Sequence, residues 1–282
     1  MITVMLRFCY VMPCSVIKSP SVNSTIKKIL ARRSVRSYLD KPVPADVRYA
    51  VLEAAMRAPT AGNLMLYTII EVDRQSLKDK LAVTCDNQPF IAKAPWVLLF
   101  LADYQRWMDY FEACGAAGFA RREGLPVRKP AEGDLMLACC DALIAAQTAV
   151  LAAESIGLGS CYVGDIMENY ELHRDLFELP SYVFPICLLC LGYPAPAASR
   201  RKPTTRFGQD FIVFRDKYRR LTSPELEAMF REDNERMSES AGTEGASSIS
   251  QLIYRRKYAA PFMLEMNRSV KAILQNWSGE QV

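Results

Sequence analysis

Three guanidinium groups and a hydroxyl fall within five positions of this chain, at Arg32, Arg33, Ser34 and Arg36. Arginine presents a fork of N–H donors that matches phosphate and carboxylate oxygens, so this spacing describes an anion site. The same cluster also suits an ordinary helix end, where cations complement the helix dipole, and both readings stand at this point. A second basic element, Arg200-Arg201-Lys202-Pro203 with Arg206, lies far along the chain, and the two could converge on one phosphate. Pro59-Thr60-Ala61-Gly62-Asn63 offers a turn with two hydrogen-bonding side chains beside open backbone. The run Gly157 to Asp165 (GLGSCYVGD) is small and Gly-rich, which lets backbone approach a flat ligand closely. Each of these two is also readable as a plain connection between elements.

Acid–base and metal chemistry are poorly supplied. The single histidine, His173, stands among Glu171, Arg174 and Asp175 and is expected to be a solvated helix residue. One histidine excludes a histidine-based metal cluster and leaves any Ser-His-Asp triad dependent on this residue alone. The sequence has no G-x-S-x-G, P-loop or G-x-G-x-x-G pattern; Gly157-Leu158-Gly159 lacks the third glycine. Its 9 cysteines show no regular framework, and Cys139, Cys140, Cys161, Cys187 and Cys190 sit in apolar runs, as reduced core thiols of a cytoplasmic protein would. Cys187 and Cys190 have C-x-x-C spacing, but inside an apolar strand and without a second pair. Chemistry on so few proton-transfer groups points to a borrowed cofactor.

The elements that must position these residues can be read from composition and periodicity. The 282 residues are 50% hydrophobic and 23% charged, which suits one large or two small globular domains and excludes a disordered or collagen-like chain. The net charge of +4 is small for a nucleic-acid binder, and Tyr254-Arg255-Arg256-Lys257-Tyr258 reads as a solvated helix start. Leu135–Leu158 carries Asp141, Gln147 and Glu154 and reads as a buried soluble helix, not a membrane span. Residues 1–20 read as an extension without a basic leader. Ser24 is placed as the cap of a helix over Thr25–Ala31, and Pro44 opens a second helix to Arg57. Strands are expected at Leu64–Val72, Pro95–Ala102, Ser160–Val163 and Tyr182–Leu191, and helices at Ser76–Val83, 134–156 and 167–178. Residues 103–133 read as a mobile excursion, Ser223-Pro224-Glu225 as a capped helix start, 238–250 as a low-complexity linker and 259–275 as the last helix. Helices and strands mix without a regular βαβ beat, so the fold class is α+β.

Taken in order, R-R-S-V-R, A-P-T-A-G-N, L-A-A-E-S-I-G-L-G-S-C-Y-V-G-D, L-G-Y-P and R-K-P resemble the FMN-dependent nitroreductase and flavin reductase family, over roughly residues 24–275. The resemblance implies a central, mainly antiparallel sheet flanked by helices. It further implies a homodimer that exchanges terminal segments and holds two FMN molecules at its interface. An FMN-binding domain over 21–222 and a helical extension over 223–282 follow from it. It assigns Arg32, Arg33 and Ser34 to the FMN phosphate and ribityl chain, and Arg36 to the flavin pyrimidine. Thr60, Ala61, Gly62 and Asn63 would line the isoalloxazine, and Gln88 would bond its pyrimidine edge. Tyr162, Val163, Gly164 and Asp165 would form the loop near N5, with the Gly164 N–H closest. Lys202 matches a phosphate-binding lysine, but its partner arginine is replaced by Thr204, leaving Arg206 as the nearest candidate. The implied activity is ping-pong transfer from NADPH or NADH through FMN to nitroaromatics, quinones or free flavin, with no catalytic side chain, nucleic acid, membrane or metal. A relative using the flavin for another redox step, or a flavin-binding scaffold without turnover, are the alternatives.

Overall fold

The structure, a computed structural model, describes residues 23–199, 203–238, 243 and 245–279. Residues 1–20, Arg200, Arg201 and Lys202 lie outside the described residues. In chain order the elements are α1 (Ser24–Ala31), α2 (Ala45–Met56), β1 (Tyr67–Glu71), α3 (Gln75–Thr84), α4 (Phe90–Lys93), β2 (Trp96–Asp103), α5 (Gln105–Ala113), α6 (Ala116–Arg122) and α7 (Glu132–Ser155). They continue with β3 (Gly159–Val163), α8 (Tyr170–Leu176), β4 (Val183–Gly192), α9 (Pro196–Ser199), α10 (Gln209–Ile212), α11 (Ser223–Met229), α12 (Arg231–Ser238), α13 (Ile249–Ile253) and α14 (Pro261–Ser278).

The four strands form one antiparallel sheet in the order β1-β2-β4-β3. Because side chains alternate across a strand, β2 feeds two cores. Trp96, Leu98 and Phe100 join a cluster with Val51 and Ala55 of α2 and with Ala142, Ala145, Ala146 and Ala149 of α7. Val97, Leu99 and Leu101 face the opposite way, toward Leu81 of α3, Ile91 of α4 and Ile166. The alanine face of α7 lets the helix lie close on the sheet, while α14 seals the end with Ile273 and Trp277 against Leu66 and Phe184. The α+β reading therefore holds, with helical layers on both faces of the sheet.

The segment after α1 lengthens the sheet at its β3 edge. Ser34 bridges Ser160 in parallel and Tyr38 bridges Pro194 in antiparallel, and the Val35 N–H donates to the Ser160 carbonyl at 2.8 Å. Glycine is required at 159: a Cβ there would stand 2.7 Å from Val35 Cγ2 and 2.9 Å from Pro194 Cγ.

Several expectations need correction. Asn23, not Ser24, caps α1, its side chain accepting from the Ile26 N–H at 3.0 Å. Thr222 caps α11 in a reciprocal box with Glu225, so Ser223 is the first helical residue. The first strand is shorter than Leu64–Val72, because Met65 takes a positive φ and Leu64 closes a 3-10 turn. Residues 103–133, expected to be an irregular excursion, carry α5, α6 and the start of α7. Within the expected linker, Ser248 caps α13. Tyr254–Tyr258 forms an exposed π-helical turn. The described cysteines are all free.

Candidate functional site

Three chain segments meet at the β3 edge. Val35 is buried against Gly159, so its neighbours Ser34 and Arg36 turn the other way. Arg36, Ser34 and Arg32 all bear on the Cys161 thiol of β3, whose pKa burial nevertheless raises. Arg36 also stacks over the Phe90 ring at 5.7 Å. Phe90 opens α4 two positions after Gln88, and the Gln88 amide nitrogen donates to Asp165 Oδ2 at 2.7 Å, just past β3. The structure thus brings together Arg32, Ser34 and Arg36, then Gln88, then Tyr162 to Asp165. Arg33 reaches sideways, its Nε donating to the Ala198 carbonyl at 3.2 Å.

The Arg32 end has the character of an incomplete anion site. Its Nη1 is one of three buried side-chain polar atoms without a hydrogen-bond partner among the described residues, the others being Tyr67 Oη and Glu168 Oε1. Glu154 Oε1 lies 3.8 Å away, attractive in charge but too far to bond. Glu154 already accepts from Ser160 Oγ at 2.6 Å, and burial raises its pKa against the pull of Arg32 and Arg33. Arg32, Arg33 and Glu154 line a cleft of about 170 Å³ with Lys28, Ala31, Val35, Leu158, Gly159 and Pro194. A buried N–H without an acceptor costs free energy until an acceptor arrives. The donor set suits a phosphate or another compact anion.

The turn at 60–63 is held elsewhere on the same scaffold. The Ala61 and Leu66 N–H groups donate to the two oxygens of Asp141 on α7, at 2.9 and 3.2 Å, and Thr60 Oγ1 accepts from Met65 N–H. Gly62 and Asn63 both take positive φ, which the glycine adopts freely and asparagine tolerates. Tyr162 Oη donates to Gln147 Oε1 at 3.3 Å, so α7 carries both the turn and the β3 side of the site. Arg206 is not brought in: its Nη1 donates to the Thr204 and Thr205 carbonyls of its own exposed loop. Lys202 lies outside the described residues.

His173 is not solvated. It is fully buried, with Nδ1 at 2.9 Å from the Ile166 carbonyl and Nε2 at 2.8 Å from Thr84 Oγ1, and burial lowers its pKa. Polar sequence neighbours concealed a helix that turns its single imidazole inward. Three acids near the site, Asp141, Glu154 and Glu168, had no assigned role in the sequence; the only signal for the first two was their presence in an apolar helix. Among the described residues no group of three or more His, Cys, Asp or Glu is placed to hold a metal ion.

The sequence profile of the nitroreductase family matches residues 29–193. The chain is similar to an FMN reductase [NAD(P)H] of Bacillus subtilis, 34% identical over 218 residues, covering 77% of this chain and 83% of the relative. It is also similar to an oxygen-insensitive NADPH nitroreductase of Salmonella typhimurium, 30% identical over 202 residues, covering 71% and 77%. Among solved structures, that of NfrA2 from B. megaterium superposes with a TM-score of 0.72 at 29% identity, covering 91% of this chain and 98% of the other.

Proposed function

This chain belongs to the nitroreductase family, and from that premise we propose that it is an FMN-dependent NAD(P)H oxidoreductase acting on nitroaromatics, quinones or free flavin. The observation that carries the reading is the unbonded, buried Nη1 of Arg32 at the mouth of a basic cleft on the sheet edge. Bound FMN supplies the redox chemistry, accepting a hydride from NADPH or NADH and returning electrons to the second substrate.

The chain's own residues hold and tune that group. Arg32, Arg33 and Ser34 take the phosphate and ribityl end, whereas Arg206 stays bonded within its own exposed loop. Arg36 places a fixed positive charge beside the ring end, where it favours a more negatively charged flavin. Gln88 meets the pyrimidine edge, Thr60 to Asn63 line the ring, and Tyr162 to Asp165 form the wall that carries the Gly164 N–H. A Cβ at Gly164 would meet only Met167 Cε, at 3.9 Å, so that wall is open on this side. The one histidine is locked in the core and is not available there as a proton shuttle.

The working unit is a homodimer. Met136, Leu137, Leu143 and Ile144 are exposed on α7, with Cys140 between them, and they form a stripe at seven-residue spacing. A second copy would cover it, and both Tyr162 and the 60–63 turn border the same helix. Residues 21–222 form the cofactor-binding body, and 223–282 a helical extension whose α14 packs on it. Free thiols throughout the described chain suit the cytoplasm.

The test is direct. The purified protein is denatured and the released flavin identified as FMN. The holoprotein is then mixed anaerobically with NADPH or NADH while the flavin absorbance is followed, and acceptors are added singly. Bleaching by a nicotinamide and recovery on adding an acceptor is the expected result. Absence of flavin, with no binding of added FMN, overturns the reading.

A further inference from the structure

Gln88 is fixed more completely than a ligand-binding amide requires. Its backbone N–H donates to the Ala82 carbonyl at 2.7 Å, after Asp86 and Asn87 turn the chain through two positive-φ residues. Both hydrogens of its side-chain amide are committed, one to the Cys85 carbonyl at 3.0 Å and one to Asp165 Oδ2 at 2.7 Å. A carbonyl and a carboxylate can only accept, so the amide cannot turn over without losing both bonds. What remains is Oε1, an acceptor.

Behind Asp165 stands a second carboxyl. Glu168 closes the same 3-10 turn, its N–H donating to the Asp165 carbonyl at 3.1 Å. Its side chain is buried, and Oε1 has no hydrogen-bond partner among the described residues. The groups that face it are mostly acidic: Asp165 on its own turn, Asp86 after α3, and Glu265 on α14. Two further titratable groups lie close and bring no compensating charge. Burial raises the Cys85 thiol, and burial lowers His173, so both stay neutral around pH 7 to 8. Burial and these acids together push Glu168 up to about 8.

We propose that the buried carboxyl of Glu168, carrying the proton, backs Asp165 in this turn, and that Asp165 so held positions Gln88 as an obligate hydrogen-bond acceptor in the cofactor site. The proposal rests on the functional reading above for the identity of the ligand. The pyrimidine edge of oxidised flavin offers a single donor, the N3–H, between two carbonyls. A fixed acceptor reads that N–H and rejects a ring in which it is blocked. Asp165 and Glu168 are positioning residues, acting through Gln88. Ionisation of Glu168 would set a buried anion against the half-buried Asp165 in one short turn and loosen Asp165 from Gln88.

The experiment titrates apoprotein with FMN and with 3-methyl-FMN between pH 6.5 and 9, reading the quenching of flavin fluorescence. For the wild type, FMN is expected to bind roughly tenfold tighter than 3-methyl-FMN at pH 7, about the effect of one buried hydrogen bond. That preference should fall roughly three- to tenfold by pH 9. Glu168→Gln, which keeps a donor for Asp165 and cannot ionise, should hold the preference constant across the range. Asp165→Asn can donate as well as accept, so it frees the Gln88 amide to turn; it should bind FMN but lose most of the preference at pH 7. Equal binding of the two flavins by the wild type overturns the proposal, as does an alkaline decline that survives in Glu168→Gln. If Glu168→Gln does not fold, an undiminished preference in Asp165→Asn overturns it instead. A wild type that binds FMN with a flat profile removes the proposal alone, whereas one that binds no FMN at any pH removes the functional reading with it.

Discussion

Replacing Arg32 by alanine separates a phosphate ligand from a structural cation. Nη1 is buried and unbonded, and the nearest anion, Glu154 Oε1, stands 3.8 Å off. In the apoprotein the side chain therefore contributes only a long ion pair, for which about 0–1 kcal/mol of stability is the expected scale. Glu154 loses its nearest cation in the variant but keeps the Ser160 hydroxyl and can take a proton, since burial already raises its pKa. In the proposed binding mode Arg32 makes a charge-assisted contact with FMN of about 1.5–3 kcal/mol, which is roughly a ten- to hundredfold change in affinity. The assay titrates wild-type and Arg32→Ala apoprotein with FMN and with riboflavin, which lacks the phosphate. The expected outcome is a ten- to hundredfold loss for FMN, little change for riboflavin, and nearly the same melting temperature. Glu154→Gln works in the opposite sense: it removes an anion facing the phosphate and should tighten FMN binding severalfold. An equal loss for both flavins, or an unchanged FMN affinity with a lower melting temperature, would refute the assignment.

Other substitutions test the scaffold. His173→Ala removes a fully buried ring and leaves Thr84 Oγ1 and the Ile166 carbonyl without it, so a loss of about 2–4 kcal/mol is expected, measured by urea unfolding. Turnover per folded molecule should survive, because the ring is sealed from the site; loss of turnover in folded protein would reveal a missed proton transfer. Gly159→Ala drives a methyl into Val35 and Pro194 and should cost about 1–3 kcal/mol while weakening FMN binding. Equal FMN affinity there would detach residues 32–36 from the site. Ile144→Glu places a charge in the exposed stripe of α7 and should shift the protein from dimer to monomer in light scattering, with reduced FMN retention.

Much of this architecture was legible because periodicity and burial coincide. The apolar runs around β2 and β4 show as strands because both faces of the sheet are covered, and the Gly-rich run around β3 shows because it ends a helix and starts a strand. Errors arose where a local signal met a tertiary one. His173 looks solvated beside Glu171 and Arg174, yet α8 lies with one face against the loop at Ile166. Ser24 looks like a cap, but Asn23 immediately before it has the side chain that reaches the Ile26 N–H. Residues 103–133 carry turn-forming residues, and aromatic contacts of Trp107 with Tyr110 and Phe111 accompany the helix that periodicity did not suggest. The roles of Asp141, Glu154 and Glu168 could not be read locally, since each depends on partners far away or on burial that only the fold creates.

The placement of charge follows from register. An extended segment sends alternate side chains to opposite sides, so which of residues 32–36 bear on Cys161 of β3 is decided by which one is buried. Val35 is that residue, 4% exposed, because the missing side chain of Gly159 leaves room for it and the Ser160 carbonyl receives its N–H. Ser34 and Arg36 then bear on Cys161 together with Arg32, while Arg33 and Val35 line the cleft beside Arg32, the Arg33 Nε donating to the Ala198 carbonyl. A slip of one position would bury an arginine against β3 and send Val35 outward, an arrangement opposed by both desolvation and the lost backbone bond. The proposed anion site therefore depends on one glycine and one valine as well as on its arginines. Redox chemistry carried by a bound cofactor asks the protein for placed charge and a fixed acceptor more than for a proton-transferring side chain, and Arg32, Arg36 and Gln88 are the residues proposed to supply them at this sheet edge.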